Sequence, residues 1–255
     1  MTLTIQPVSG LPLIQTGDSI TQEILAVLER QEMRLESGDI LVLAQKIVSK
    51  AEGRLVNLSS VEPSERAREL AVLTEKDARF IELVLRESAS VLRMRQGTII
   101  VEHRLGFVCA NAGIDHSNVR GEWGNADDWV LLLPENPDLS AERIRQEIRE
   151  KTGLDVGVMI IDSHGRAWRM GTVGVAIGLS GVPGLVDMRG KPDMFGYQLR
   201  VTLIAAADEL AAAASLVMGQ ADERIPVVLV RGFPYTLRES SLRELIRPKE
   251  MDLFR

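Results

Sequence analysis

Cysteine is almost absent from this chain, and its scarcity limits where the protein can work. Cys109 is the single cysteine among 255 residues, so the chain cannot close an internal disulfide of the kind typical of oxidising compartments. The first residues, Met1-Thr-Leu-Thr-Ile-Gln-Pro, lack the basic start and apolar core of a signal peptide. The sequence therefore predicts a cytoplasmic protein, with Cys109 as inert packing in an apolar segment.

Long apolar runs and basic clusters are also missing. No segment reaches the roughly 18 uncharged apolar residues of a membrane span, and the nearest one, residues 203–218, contains Asp208 and Glu209. The 30 basic residues are outnumbered by 36 acidic ones, which gives a net charge of −6. Because nucleic acids and anionic membranes attract dense basic surfaces, the sequence predicts neither kind of partner.

The common nucleotide and hydrolase motifs are absent as well. Gly190-Lys191-Pro192 does not complete a P-loop, and the glycines of residues 171–178 have the spacing G-x-x-G-x-x-x-G rather than G-x-G-x-x-G. The patterns H-E-x-x-H, C-x-x-C and G-x-S-x-G do not occur. These absences argue against P-loop, Rossmann, zincin, zinc-ribbon and α/β-hydrolase sites.

Helix and strand patterns alternate along the chain without a fixed repeat, which predicts one unit of α/β or α+β class over residues 1–255. Ser19-Ile-Thr-Gln22 has capping-box spacing and opens a helix predicted over about residues 19–34. The other elements predicted in the first half are a strand over 40–44, a polar turn over 45–50, a helix opened by Pro63-Ser64, a second helix capped within Thr74-Glu-Lys-Asp77, and a hairpin of residues 98–103 and 105–109.

Glycine is frequent in the second half, which predicts tight turns or close backbone approaches there. Ser140 is predicted to cap a helix that ends at Gly153. The remaining predictions are a buried strand over 156–161, a loop over 162–166 that breaks away from it, an Ala-rich helix over 202–218, a strand over 225–230 and a charged peripheral end.

Two aspartates follow β-type apolar runs and are the first candidates for chemistry. Asp115 lies near Ser117 and Asn118, and Asp162 is followed by Ser163. Carboxylate and hydroxyl oxygens are the ligands that Mg²⁺ and Mn²⁺ take in proteins, so a shared metal-nucleotide site is one interpretation. On spacing alone the favoured alternative is that each aspartate caps its own turn. The adjacent histidines, His116 and His164, fit metal ligands or proton shuttles, but solvated loop residues are commoner.

Three polar segments point to anion binding. They carry Lys46 and Lys50 four apart, Arg166 and Arg169 three apart, and Arg224 shortly after a helix end. Lysine and arginine bind phosphate where no P-loop exists. For any one of these segments, a solvated charged turn is the simpler interpretation.

Six segments, taken in order, closely resemble motifs of the coenzyme F420-0:γ-glutamyl ligase family. They are Gly10-Leu-Pro-Leu-Ile14, residues 44–54, Asn111-Ala-Gly-Ile-Asp-His-Ser-Asn118, residues 162–171, Gly174-Val-Ala-Ile-Gly178 and Gly219-Gln-Ala-Asp222. The resemblance runs from about residue 5 to residue 232. Six ordered motifs are far more specific than any one of them, and together they outweigh the turn-capping interpretation of the aspartates.

The resemblance implies a fold and a reaction. The fold would be a two-lobed α/β (α+β) architecture of mixed sheets with flanking helices, assembled as an intertwined homodimer. Some relatives add a C-terminal nitroreductase-like domain, which is not expected here. The reaction would be GTP-dependent ligation of L-glutamate to coenzyme F420-0, then of further γ-linked glutamates, through an acyl phosphate, with release of GDP and phosphate.

The resemblance also implies a set of site residues. Asp115 and Asp162 would bind a first Mg²⁺ or Mn²⁺, while Ser163, where relatives commonly have Thr, and Gln220 would bind a second; K⁺ is a further candidate ion. Gln45 stands where some relatives have Ser, and His164 where an aromatic residue is usual. The positions that would contact GTP are Gly10, Leu11, Pro12, Leu13, Gln45, Lys46, Lys50, Asn118, Met218, Gly219, Gln220, Ala221 and Asp222.

Two alternatives to this function stay open at the level of sequence. One is a related nucleotide-dependent amide ligase with another acceptor, because the motifs describe the metal and GTP end better than the acceptor end. The other is a regulatory protein that binds a metal nucleotide without catalysis.

Overall fold

The computed structural model describes residues 2–121 and 123–253. The α-helices are α1 (Ile20–Arg30), α2 (Gln45–Ala51), α3 (Glu65–Thr74), α4 (Ala78–Arg86), α5 (Pro137–Thr152) and α6 (Ala206–Met218). The strands are β1 (Thr4–Pro7), β2 (Ile40–Ala44), β3 (Leu55–Asn57), β4 (Ser88–Arg95), β5 (Thr98–His103), β6 (Val108–Ala110), β7 (Trp129–Leu131), β8 (Gly157–Arg166), β9 (Arg169–Ser180), β10 (Val186–Asp187), β11 (Leu203–Ile204) and β12 (Val227–Arg231). The predicted α+β class is confirmed.

A five-stranded sheet in the order β1-β12-β2-β8-β9 forms the centre of the molecule. Strands β2 and β8 are parallel, and the other neighbouring pairs are antiparallel. Ala44, the last residue of β2, is paired with Ile161 of β8. Because parallel strands end at the same edge of a sheet, the residues that follow Ala44 and Ile161 begin side by side.

Both faces of this sheet are covered, which explains why its central strands read as continuous apolar runs. Leu41 and Leu43 of β2 face one core, which also contains buried residues of α1, α2 and α5. Ile40 and Val42 face the opposite core, which contains the buried alanines of α6. Side chains alternate between the faces of a strand, so one five-residue strand contributes to both cores.

Two glycines of β9 let helices approach the sheet closely from its two faces. A Cβ on Gly174 would lie 2.5 Å from the Ala211 carbonyl oxygen of α6, and one on Gly178 would lie 2.5 Å from the Pro137 carbonyl of α5. Residues four apart would ordinarily face the same side, but the pairing shifts by one residue between Ile160 and Ile161. This bulge reverses the alternation, so each glycine faces a different helix.

We expect Gly178→Ala to be strongly destabilising, because the obstructing atoms belong to backbone and cannot rotate away. Overpacking of this kind costs about 1–3 kcal/mol in the free energy of unfolding, which urea denaturation measures. Gly165→Ala is the matched control, since a Cβ at Gly165 meets nothing within 4 Å and the residue needs no positive φ. Equal stability of the two variants would contradict the close approach of α5.

A second group of elements packs beside the central sheet. Strands β4, β5 and β6 form an antiparallel sheet, and β3 pairs with β7. A separate apolar cluster joins them to α3 and α4, with Leu70, Ile81, Ile99 and Val101 fully buried. The division into two lobes stays a prediction.

A long hairpin extends between β9 and α6, and we call residues 186–204 the arm. Its strands are β10 and β11, its ladder continues through backbone hydrogen bonds such as Gly190 N–H to the Leu199 carbonyl (2.8 Å), and its tip contains Met194 and Phe195. Both tip side chains are 87% exposed. Large apolar groups are seldom left this open without a partner surface.

Several predicted elements need correction. Residues 45–50 are not a polar turn but lie in α2, and residues 162–166 are not a loop because β8 continues to Arg166 in a hairpin with β9. Helix α5 is capped by Asn136, whose side chain accepts from the Leu139 N–H, and not by Ser140. The sequence does not predict strand β4, because none of its residues is buried.

The described residues, 2–121 and 123–253, include no helix that combines the length and hydrophobicity needed to cross a bilayer.

Candidate functional site

Helix α2 brings three of the predicted nucleotide residues to the carboxyl edge of the central sheet. Gln45 is the first residue of the helix and is buried. Its Oε1 atom accepts a hydrogen bond from Ser49 Oγ at 2.8 Å. Lys46 and Lys50 are one turn apart, so both ammonium groups lie on one side of the helix. The spacing that marked these lysines in the sequence is therefore a helical spacing.

The loop after β6 places Asp115 opposite this helix. Asn111 and Ala112 both have left-handed backbone angles, with φ of 53° and 54°, which costs a non-glycine residue free energy. Asp115 is then fixed by a two-way backbone bridge to Leu131. Its carboxylate accepts from Gln45 Nε2 at 2.7 Å and lies 3.4 Å from Lys46 Nζ.

The end of the same loop is tied to α2 and to the segment after α6. Lys46 Nζ donates to Ser117 Oγ at 2.8 Å, and Lys50 Nζ donates to the Asn118 carbonyl at 2.8 Å. Asn118, whose φ is 58°, donates from Nδ2 to the Ala221 carbonyl at 2.9 Å. These contacts hold three distant segments around one cleft.

Strand β8 supplies two more of the predicted metal ligands, and Gln220 lies beside them. Asp162 follows Ile161 directly, and the next residue, Ser163, donates from Oγ to Gln220 Oε1 at 3.0 Å. Gln220 in turn donates from Nε2 to Ser215 Oγ at 3.0 Å. The Gln220 amide oxygen and the Ser163 hydroxyl are thus held together at one edge of the cleft.

The cleft between these segments has a volume of about 640 Å³. Every predicted site residue except Gly10 and Asp115 lines it, and Asp115 bonds to two residues that do. The lining predicted residues are Leu11, Pro12, Leu13, Gln45, Lys46, Lys50, Asn118, Asp162, Ser163, Met218, Gly219, Gln220, Ala221 and Asp222.

The site contains a pair of carboxylates and a pair of lysines, and the like charges within each pair repel each other. Burial, and after it the neighbouring Asp162 carboxylate, raises the pKa of Asp115 to about 6. Burial, and after it the charge of Lys46, lowers the pKa of Lys50. A bound cation relieves the repulsion between two carboxylates, and a phosphate relieves that between two lysines.

The turn-capping interpretation of the two aspartates does not match these contacts. The Asp115 carboxylate meets the side chains of Gln45 and Lys46, and Asp162 Oδ2 lies 3.0 Å from His164 Nε2. Within residues 2–121 and 123–253, neither carboxylate accepts a hydrogen bond from a backbone N–H. Neither aspartate therefore caps its own turn.

A cation at this site would depend on more than carboxylates. The described part of the chain has no group of three or more His, Cys, Asp and Glu residues in the geometry of a metal site. Mg²⁺ commonly takes only one or two protein carboxylates and completes its shell with phosphate oxygens and water. Asp115 and Asp162, with the oxygens of Ser163 and Gln220 nearby, fit that kind of donor set.

The histidines differ from what the sequence indicated. His164 is not a solvated loop residue; its side chain is buried against Phe107, with ring centroids 5.2 Å apart, and pairs with Asp162. Period-two alternation along a strand that continues to Arg166 places the Asp162 and His164 side chains on one face. His116 instead stacks on Phe80, with ring centroids 5.2 Å apart.

Cys109 is buried, as the sequence predicted, and burial raises the pKa of its thiol to about 12. A thiol that stays protonated at neutral pH is a poor nucleophile.

Comparison with known proteins identifies the family of this chain. The family described as F420-0:Gamma-glutamyl ligase matches residues 10–232. A Methanothermobacter thermautotrophicus protein named coenzyme F420:L-glutamate ligase is 45% identical over 257 residues, covering 100% of both chains. Proteins of the same name from Methanopyrus kandleri and Methanocaldococcus jannaschii are 46% and 44% identical, covering 100% and 96% of this chain and 98% and 94% of their own.

These named relatives are all ligases. With a family match over most of its length and full-length relatives at this level of identity, the chain belongs to the F420-0:gamma-glutamyl ligase family.

Proposed function

We propose that this protein joins L-glutamate to coenzyme F420-0, and then adds further γ-linked glutamates, in a GTP-dependent reaction. The observation that carries the proposal is the convergence of five of the six sequence-distant motifs on one cleft, with carboxylates at one end and lysines beside them. The names of the full-length relatives support the two organic substrates.

The chemistry follows from the weakness of a carboxylate as an acyl donor. An oxygen of the acceptor carboxylate attacks the γ-phosphorus of GTP, the bond to the bridging oxygen breaks, and GDP leaves with the electron pair. The glutamate amine then attacks the acyl phosphate, phosphate leaves, and the amine loses a proton. Such steps depend on positioning and charge neutralisation more than on a protein nucleophile, which suits a site without a reactive cysteine.

The cleft residues divide between cation and phosphate. Asp115 and Asp162 would hold one Mg²⁺ or Mn²⁺, and Ser163 with Gln220 a second. Such ions supply positive charge to the β- and γ-phosphate oxygens. Lys46 and Lys50 neutralise phosphate charge from the helix side, and the residues around Leu11 and Gly219 line the remainder of the nucleotide cleft. A K⁺ requirement stays a prediction.

We expect Lys50→Ala to raise the KM for GTP about tenfold while the KM for glutamate changes little, because the lost charge faces the nucleotide. Lys50→Gln is the informative second variant, since it can still donate to the Asn118 carbonyl but has no charge. Lys151→Ala, at the exposed end of α5, controls for the loss of a lysine. Unchanged GTP kinetics in both Lys50 variants would return Lys50 to a structural role.

A homodimer is part of the proposal. Apolar side chains are exposed on two projections: Met194, Phe195 and Val201 on the arm, and Met170 beside the β8–β9 turn. An arm that exchanges contacts with a second copy would bury them. Light scattering should then give twice the chain mass of 28.1 kDa. A cytoplasmic location likewise stays a prediction.

Mass spectrometry of the products made from F420-0, GTP, glutamate and Mg²⁺ or Mn²⁺ tests the function. Glutamate adducts together with GDP and phosphate support it, whereas GMP and pyrophosphate would contradict the acyl phosphate. Turnover with a different acid only would indicate a related ligase with another acceptor. GTP binding without any product would indicate a non-catalytic nucleotide-binding protein.

A further inference from the structure

A second cavity adjoins the nucleotide cleft and has no role in the function derived so far. Its volume is about 670 Å³, and it lies between the β4–β5–β6 sheet, the β8–β9 hairpin and the C-terminal segment. Phe107, Val108, Ile177 and Leu245 are among the apolar residues of its wall. Cavities of a few hundred Å³ with mainly apolar walls are the size and character of small-molecule sites.

Three arginines, Arg93, Arg166 and Arg247, also line this cavity. Arg93 donates to the Leu92 carbonyl and Arg166 to the Met170 carbonyl. None of the three forms an ion pair with a carboxylate of the described residues. Exposed guanidinium groups without carboxylate partners are suited to bind carboxylate or phosphate.

Two carboxylates line the cavity as well, Asp208 and Asp252. Asp208 accepts a hydrogen bond from the Ala176 N–H at 3.0 Å. The arginines therefore outnumber the acidic residues of the lining, which favours an anionic occupant.

Strand β8 borders both this cavity and the nucleotide cleft. Asp162 and Ser163 line the cleft, whereas His164 and Arg166 line the second cavity. The hydrogen bond between Asp162 and His164 crosses from one to the other at 3.0 Å. The two cavities therefore meet at the carboxylate end of the cleft.

This adjacency matters because the acid and the phosphoryl donor must come into contact. Reacting atoms need to approach to about 3–3.5 Å before transfer. An acid that enters from the second cavity would direct its carboxylate towards Asp162, past His164. Entry from the opposite end of the cleft would instead meet the lysines and Asn118.

We propose that the second cavity binds the acid acceptor of the reaction, coenzyme F420-0, which is a planar deazaflavin with an anionic chain. The apolar wall contacts the ring, and Arg93 and Arg166 bind the anionic groups. This inference rests on the proposed function and adds to it the place where the acceptor binds.

Titration of the full-length protein with F420-0, followed by deazaflavin fluorescence, tests the proposal. The double variant Arg93→Gln with Arg166→Gln should raise the Kd for F420-0 at least about tenfold and leave the Kd for GTP within about twofold. The control is Arg95→Gln with Arg149→Gln, which removes the same charge from β4 and from the exposed side of α5 at positions outside the cavity lining. It should leave both constants within about twofold of the wild type.

A second variant, Val108→Trp, fills the cavity without removing charge. It should abolish F420-0 binding and retain GTP binding, and GTP-dependent thermal stabilisation verifies that each variant is folded. If wild-type protein ligates glutamate but both cavity variants bind F420-0 normally, the inference is wrong and the proposed function stands. A change of molecular mass in the variants without a change in F420-0 affinity would assign the cavity to a subunit contact. Wild-type protein that binds no F420-0 would contradict both proposals.

Discussion

Asp162→Asn is expected to lower kcat/KM for GTP at least about 100-fold, because substitutions in the supporting shell of a metal site alone cost 10–100-fold. Asp115→Asn should behave alike, and the double variant should cost little more than the worse single one, since residues that act as a unit are not additive. Glu29→Gln, an exposed helix residue, removes the same charge far from the cleft. Near-normal activity of either aspartate variant at low metal concentration would contradict the assignment.

Although Asp115→Asn should lower activity, it should raise the stability of the ligand-free protein. Asp115 has a raised pKa because burial and Asp162 oppose its charge. A raised carboxyl pKa means that the ionised group opposes folding above the ordinary pKa. At pH 8, Asp115→Asn should therefore raise the free energy of unfolding by about 1–3 kcal/mol, while stabilisation by Mg²⁺ and GTP is lost. Denaturation with and without ligands measures both, and destabilisation of the ligand-free variant would indicate a structural Asp115.

Unfolding should also become easier as the pH falls from about 6.5 towards 4, because of His103. Its side chain is only 2% exposed, and its Nε2 atom has no hydrogen-bond partner among the described residues. Burial lowers the pKa of His103 to about 4, and the charge of Arg104 acts in the same direction. Its Nδ1 atom already accepts from the Leu105 N–H at 3.0 Å, so a proton there would break a hydrogen bond.

The sign of this effect follows from proton counting. Between pH 6.5 and 4 the unfolded histidine binds a proton that the folded one does not, so stability is complete above pH 6.5 and declines on acidification. The loss attributable to His103 is about 3 kcal/mol. Urea denaturation at several pH values should show a shallower pH dependence for His103→Gln than for wild type. His116→Gln, at an exposed ring, should change the slope less, and equal slopes in all three would exclude His103.

The side-chain-capped starts of α1 and α4 could be predicted from the sequence, whereas the cap of α5 was placed at the wrong residue and uncapped or half-buried elements could not be predicted. Ser19 accepts from the Gln22 N–H as its spacing indicates, and Asp77 accepts from the Arg79 N–H at the start of α4. Helix α2 was missed because Ala44 offers no cap and its seven residues show too little periodicity. The sequence predicts too early an end for β8, because the polar residues 162–166 are typical of loops. Pairing with β9 keeps these residues extended.

The residues of the candidate site could be predicted from the sequence, but the contacts between them could not. Motif resemblance selected the residues, but nothing in their spacing places Asp115 beside Gln45; that contact depends on the left-handed loop at Asn111 and on the bridge to Leu131. Neither the His164–Asp162 pair nor the adjoining cavity could be predicted, because both require β8 to continue past the cleft. Contacts between distant segments are set by tertiary packing, which local patterns do not encode.

The order of strands in the central sheet also has a consequence for synthesis on the ribosome. Strand β12 lies between β1 and β2, with Thr4 opposite Arg231 and Val227 opposite Leu43. Strands β1 and β2 therefore have no shared neighbour until residues 227–231 have been translated. Contacts of such large sequence separation form slowly, and unpaired strand edges promote aggregation in the meantime. Nascent chains of this protein should therefore depend on chaperones until strand β12 emerges from the ribosome.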